Sequence, residues 1–90
     1  MSIKIIRRVV IYLWESDAFT VEYAADLYRI DRVELRQSED GLEWSLEGRK
    51  IQKNGRRLAS AWTLVYASGQ IPERIRSIAL AEIATFVRTE

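Results

Sequence analysis

Apolar and polar residues alternate most cleanly across "RVELRQSEDGLEWSL", residues 32–46. Val33 and Leu35 interleave with Arg32, Glu34 and Arg36. After the turn Ser38-Glu39-Asp40-Gly41, Leu42, Trp44 and Leu46 interleave with Glu43, Ser45 and Glu47. A period of two on both sides of a polar, glycine-containing turn predicts a β-hairpin. Pairing 37 with 42 sets Leu35 opposite Trp44 and Val33 opposite Leu46 on a buried face. The same register sets Arg36 opposite Glu43 and Arg32 opposite Glu47 on a wet face, where each pair is worth roughly 0.2–1 kcal/mol. Two independent patterns select one register.

A second hairpin is marked by Asn54-Gly55. A type I′ turn needs positive φ at both central residues, and Asn-Gly supplies it at little cost. It folds 49–53 onto 56–60, with Lys53 opposite Arg56, Gln52 opposite Arg57 and Ile51 opposite Leu58. Residues 58–68 are its return strand, although Gly69 would also suit a helix end.

Helical spacing dominates the C-terminal stretch. Ile71, Ile75, Ile78, Ala79, Ile83, Phe86 and Val87 recur at i, i+3 and i+4. Pro72 suits a first turn, with Glu73 and Arg88 at the matching dipole ends. The predicted helix covers about 72–88. Leu80 and Val87 widen its apolar stripe, and Glu82 falls between Ile78 and Phe86, where burial would demand a partner.

The first third is less decided. Six β-branched residues within 3–14 favour a strand with apolar residues on both faces, as in a central strand. Lys4, Arg7 and Arg8 on one side also suit a helix. "FTVEYAADLYRI", residues 19–30, fits either period, and Ala24-Ala25-Asp26-Leu27 tips it toward a short helix at about 19–29. The predicted fold class is α+β: a small antiparallel β-meander packed on one face by the C-terminal helix.

Composition agrees with one globular domain: 90 residues, 48% hydrophobic and 30% charged, without repeats or linkers. Lys4, Arg7 and Arg8 interrupt any secretory apolar core, and the uncharged run 58–72 is too short to span a bilayer, so a cytoplasmic location is expected. A net charge of +1 conceals segregation. Residues 15–28 carry four acids and no base, whereas "GRKIQKNGRR", residues 48–57, carries Arg49, Lys50, Lys53, Arg56 and Arg57 and no acid. Read as a free ribbon charged on both faces, it projects from the core toward a polyanion: a nucleic-acid phosphate backbone, or an acidic protein surface. The plain structural explanation is a solvated edge that resists aggregation by its charge, or a ribbon folded onto Glu15, Asp17, Glu22 or Asp26.

Candidate chemistry changes this picture little. Without His or Cys, the commonest base, nucleophile and soft metal ligands are absent. No Gly-rich phosphate loop or calcium-loop spacing occurs, so neither cofactor nor metal is expected. Glu43 and Glu47 are about 13 Å apart along a strand, beyond the reach of a glycosidase pair. Tyr12, Tyr28 and Tyr66 could stack a base, but none lies in the basic block, which weakens single-strand stacking and favours contact with the phosphate backbone. The expectation is a non-enzymatic module that binds nucleic acid through 49–57. The alternative is a protein-docking inhibitor, adaptor or subunit. The surplus apolar surface predicts a homodimer that buries either Leu80 and Val87 or the outer face of the first strand.

Overall fold

The computed structural model describes residues 4–52 and 57–85. In chain order it has β1 (Ile5–Tyr12), β2 (Phe19–Tyr23), β3 (Asp26–Ser38), β4 (Gly41–Ile51), β5 (Leu58–Val65), a 3₁₀ turn (Ser68–Gln70) and α1 (Glu73–Thr85). The architecture is α+β: one five-stranded antiparallel sheet with the C-terminal helix on one face. Sheet order is β1-β3-β4-β5, and β2 also pairs with β3. Thirteen residues of β3 run roughly 40 Å. That length lets β2 pair with residues 26–30 and β1 with residues 32–38 along one edge.

The β3–β4 register is the one that alternation predicts, with Leu35 opposite Trp44, Val33 opposite Leu46, Arg36 opposite Glu43 and Arg32 opposite Glu47. Val33, Leu35 and Leu46 are fully buried. With Val21, Tyr28, Ile30 and Val65 they form the helix-facing core, into which α1 sets Ile75, Ala79 and Ile83. Half-buried Trp44 packs against both halves of this core, and the Arg76 guanidinium lies 5.0 Å from its ring centroid. Leu42 departs from its expected place on the buried face and is 49% exposed, because it lies beside the hairpin turn, past the end of the helix-covered area.

The buried stripe of α1 is narrower than its sequence suggests. Ile75, Ala79 and Ile83, four apart, face the sheet, as does Ile71 just before the helix, while Ile78 and Leu80 are exposed. Glu82 is exposed too, so it raises no buried-carboxylate problem. Phe86 and Val87 lie outside the described residues.

Residues 19–29 are not a helix. Phe19–Tyr23 is a strand, and Tyr23 pairs with Asp26 across a two-residue turn. Ala24 and Ala25, the residues that favour a helix locally, both sit at positive φ (51° and 66°). Burial of Val21 and Tyr28 in the core outweighs local propensity, and the turn takes the I′ geometry that a twisted hairpin requires. β1 is a strand as expected, but its place is the sheet edge and not the centre. Its inward face carries Val9 and Ile11 to the helix, while Ile5 and Ile6 are exposed.

Three irregularities shape the sheet. β1 shifts register between Ile5 and Arg7, β3 between Ile30 and Arg32, and the β4–β5 pair between Arg49 and Ile51. At the second, Gly48 faces Ile30 with no room for a side chain: a Cβ there would lie 2.3 Å from the Arg29 carbonyl oxygen. The second hairpin keeps its expected pairing near the tip, with Ile51 opposite Leu58 and the Gln52 N–H donating to the Arg57 carbonyl at 2.9 Å. The Asn54-Gly55 turn, Lys53 and Arg56 lie outside the described residues. Farther from the tip the register slips by two residues, so Arg49 faces Trp62.

Two measurements check this fold. Leu35→Ala should lower unfolding stability by about 2–5 kcal/mol, and Leu42→Ala by less than about 1 kcal/mol, by urea titration. Replacing Ala24-Ala25 with Asn-Gly should raise stability by about 1–2 kcal/mol by relieving left-handed alanines. A neutral or destabilising result would contradict the I′ turn.

Candidate functional site

The sheet face away from α1 carries the charged half of the alternating pattern. Its rows run across strands: Tyr12, Arg32, Glu47 and Leu64 are successive partners, then Val10, Glu34 and Ser45, then Arg8, Arg36 and Glu43. Ion pairs knit these rows together. Arg36 Nη2 meets Glu43 Oε1 at 2.7 Å and donates to Ser45 Oγ at 3.2 Å. Arg32 Nη2 meets Glu47 Oε2 at 2.8 Å. Glu34, which the hairpin pattern left unpartnered, is buried between Arg8 at 3.0 Å and Arg32 at 3.8 Å. A hydrogen bond with the Tyr12 side chain, foremost, raises the Arg32 pKa. Burial opposes the shift, and the charges of Glu47 and Glu34 reinforce it.

The bulge in β3 opens a recess on this face of about 400 Å³, lined by Tyr12, Leu13, Asp31, Arg32, Glu47 and Trp62. Asp31 is the extra residue of the bulge, and its carbonyl accepts the Leu13 N–H at 2.8 Å, which fixes the end of β1 beside it. Bulges recur beside functional sites because they re-aim side chains. The walls are aromatic: Tyr12 is 73% exposed and Trp62 51%. Arg49 sits 4.7 Å from the Trp62 ring centroid and 3.7 Å from Asp31 Oδ2. Two carboxylates and one guanidinium line the recess, so its charge does not suit an anion. It suits a planar, uncharged group with its own donors and acceptors.

The five basic candidates are distributed differently from the expectation. Arg49 and Lys50 are not free cations, because β3 runs beside β4 as far as Lys50. Arg49 pairs with Asp31, and Lys50 pairs with Asp26 at 3.4 Å. Arg57 is exposed, and Lys53 and Arg56 lie outside the described residues. The body of this hairpin is therefore part of the sheet and not a free ribbon. Of Tyr12, Tyr28 and Tyr66, Tyr28 is buried, Tyr66 packs edge-on against Tyr23 with ring centroids 6.0 Å apart, and Tyr12 alone joins the open face. Trp62 was not anticipated. Its contact with Arg49 depends on the two-residue slip, which no local pattern signals. Of the interface candidates, Leu80 is 37% exposed and Val87 lies outside the described residues.

Among the described residues no group of three or more His, Cys, Asp or Glu is placed to hold a metal ion, and no helix is long and apolar enough to cross a membrane. No protein-family model, curated protein or solved structure matches the chain.

Burial separates two glutamates of this face. Glu34→Ala should cost about 1–3 kcal/mol, since it strips a buried carboxylate from two arginines. Glu43→Ala, at the rim, should cost less than about 1 kcal/mol. Equal losses in denaturant titrations would mean that the Glu34 cluster is not buried as described.

Proposed function

We propose that this protein is a non-enzymatic binding module for single-stranded nucleic acid, with phosphates along the basic β4–β5 hairpin and bases on the open face of the sheet. The observation that carries this reading is the placement of half-exposed Trp62 against Arg49, on the uncovered face and on the same hairpin as the basic tip. Aromatic side chains beside a cationic track are the general means of holding a flexible strand: the rings stack bases and the cations follow the backbone. A duplex is disfavoured, because a hairpin flanked by β3 does not enter a groove as a free two-stranded ribbon would.

Arg49 and Lys50 already hold carboxylates, so Lys53, Arg56 and Arg57 are the residues counted as phosphate contacts. Three contacts to a single strand give log K against log[salt] a slope of about −2. Changing all three to Ser should flatten that slope. Trp62→Ala should weaken binding by about 1–3 kcal/mol and leave the slope unchanged. Salt-independent binding would turn the reading toward protein docking.

Exposed Ile78 and Leu80 on α1, with Ile5 and Ile6 on β1, favour a second reading: a protein-docking module that pairs with its own copy. Light scattering at micromolar concentration should then give twice the 10.5 kDa chain mass. Leu80→Glu should split the dimer when the helix flank is the interface and leave it intact when β1 is. A 10.5 kDa species removes this reading.

A further inference from the structure

We infer that the recess at the β3 bulge selects guanine, an inference that rests on the single-stranded nucleic-acid reading above. The recess is large enough for one nucleobase, with about 400 Å³ between Tyr12, Leu13 and Trp62. Two of these walls are aromatic and suit the face of a flat ring. Asp31 and Glu47 in the lining repel a phosphate, so the strand enters base-first, with its backbone outside the recess.

The polar groups then discriminate among bases. Arg32 and Glu47 lie side by side at 2.8 Å, so the pair presents a donor next to a carboxylate that only accepts. Across its Watson–Crick edge guanine presents an acceptor at O6 followed by two adjacent donors, at N1 and N2. That order complements a guanidinium followed by a two-oxygen acceptor. Cytosine and adenine turn a bare ring acceptor toward the carboxylate. Uracil offers one donor between two acceptors, so one carboxylate oxygen faces a carbonyl. Glu47 retains lone pairs after Arg32 takes one, since an ionised carboxylate has about four acceptor sites. The Arg32–Glu47 contact holds the two groups in place before a base arrives.

The experiment compares an end-labelled oligouridylate of about ten nucleotides with the same strand carrying one central guanosine or inosine, by fluorescence anisotropy. The guanosine strand should bind about tenfold tighter than oligouridylate. Inosine, which lacks the N2 amine, should recover only part of that gain. Glu47→Gln, which replaces one acceptor by a donor, should bring the guanosine strand down to whatever affinity the same variant has for oligouridylate, so that the preference is lost. Oligouridylate binding with no gain from guanosine would overturn the pocket assignment alone. A full preference retained by inosine, or by Glu47→Gln, would overturn the role of the carboxylate. Failure of the wild-type protein to bind any of the three strands would overturn the single-strand reading and this inference together.

Discussion

The register between β3 and β4 is the constraint on which the remaining structure depends. Side chains alternate across a strand, so a one-residue slip would turn one strand of this pair over relative to the other. If β3 slipped, Val33 and Leu35 would turn to water, and Arg32, Glu34 and Arg36 would turn toward the helix. Burying three charges away from their partners costs far more than exposing two aliphatic side chains, so both faces reject the slip. The ion pairs contribute little as exposed contacts, and their main effect is to agree with the core about which residues stand opposite.

Once that pair is placed, its length organises the neighbours. β3 is long enough to receive β1 and β2 along one edge, and the helix needs to cover only the region where β1, β3 and β4 lie together. Gly48 allows the close approach of backbones at the bulge. Asp31, left without a direct partner in β4, joins the wall of the recess. The same irregularity that relieves a mismatch in strand pairing therefore creates the concave part of the open face. The slip between β4 and β5 acts in parallel, bringing Trp62 over Arg49.

The open face is unusual in being both charged and ordered. Arg8, Arg32, Arg36 and Arg49 each meet a carboxylate, so side-chain entropy is already lost before any partner binds. Such pre-ordering lowers the cost of holding a ligand against the face. It also explains why the basic character evident between residues 48 and 57 is weaker in the folded sheet: Asp26 and Asp31 answer Lys50 and Arg49 across strands that are distant in sequence.

Alternation alone determined the β3–β4 hairpin, its register and its charge pairs, because those contacts join residues close in the chain and repeat with one period. The spacing of Ile71, Ile75, Ala79 and Ile83 determined the helix, and Asn54-Gly55 the pairing of Ile51 with Leu58. Tertiary structure decided the rest. It turned Ala24-Ala25 from a helix signal into a left-handed turn, since burial of Val21 and Tyr28 outweighs a few tenths of a kcal/mol of propensity per residue. It set β1 at an edge, exposed Glu82 and Leu42, and placed Trp62 beside Arg49. Each of these depends on which surfaces meet, and local sequence does not encode bulges or distant neighbours.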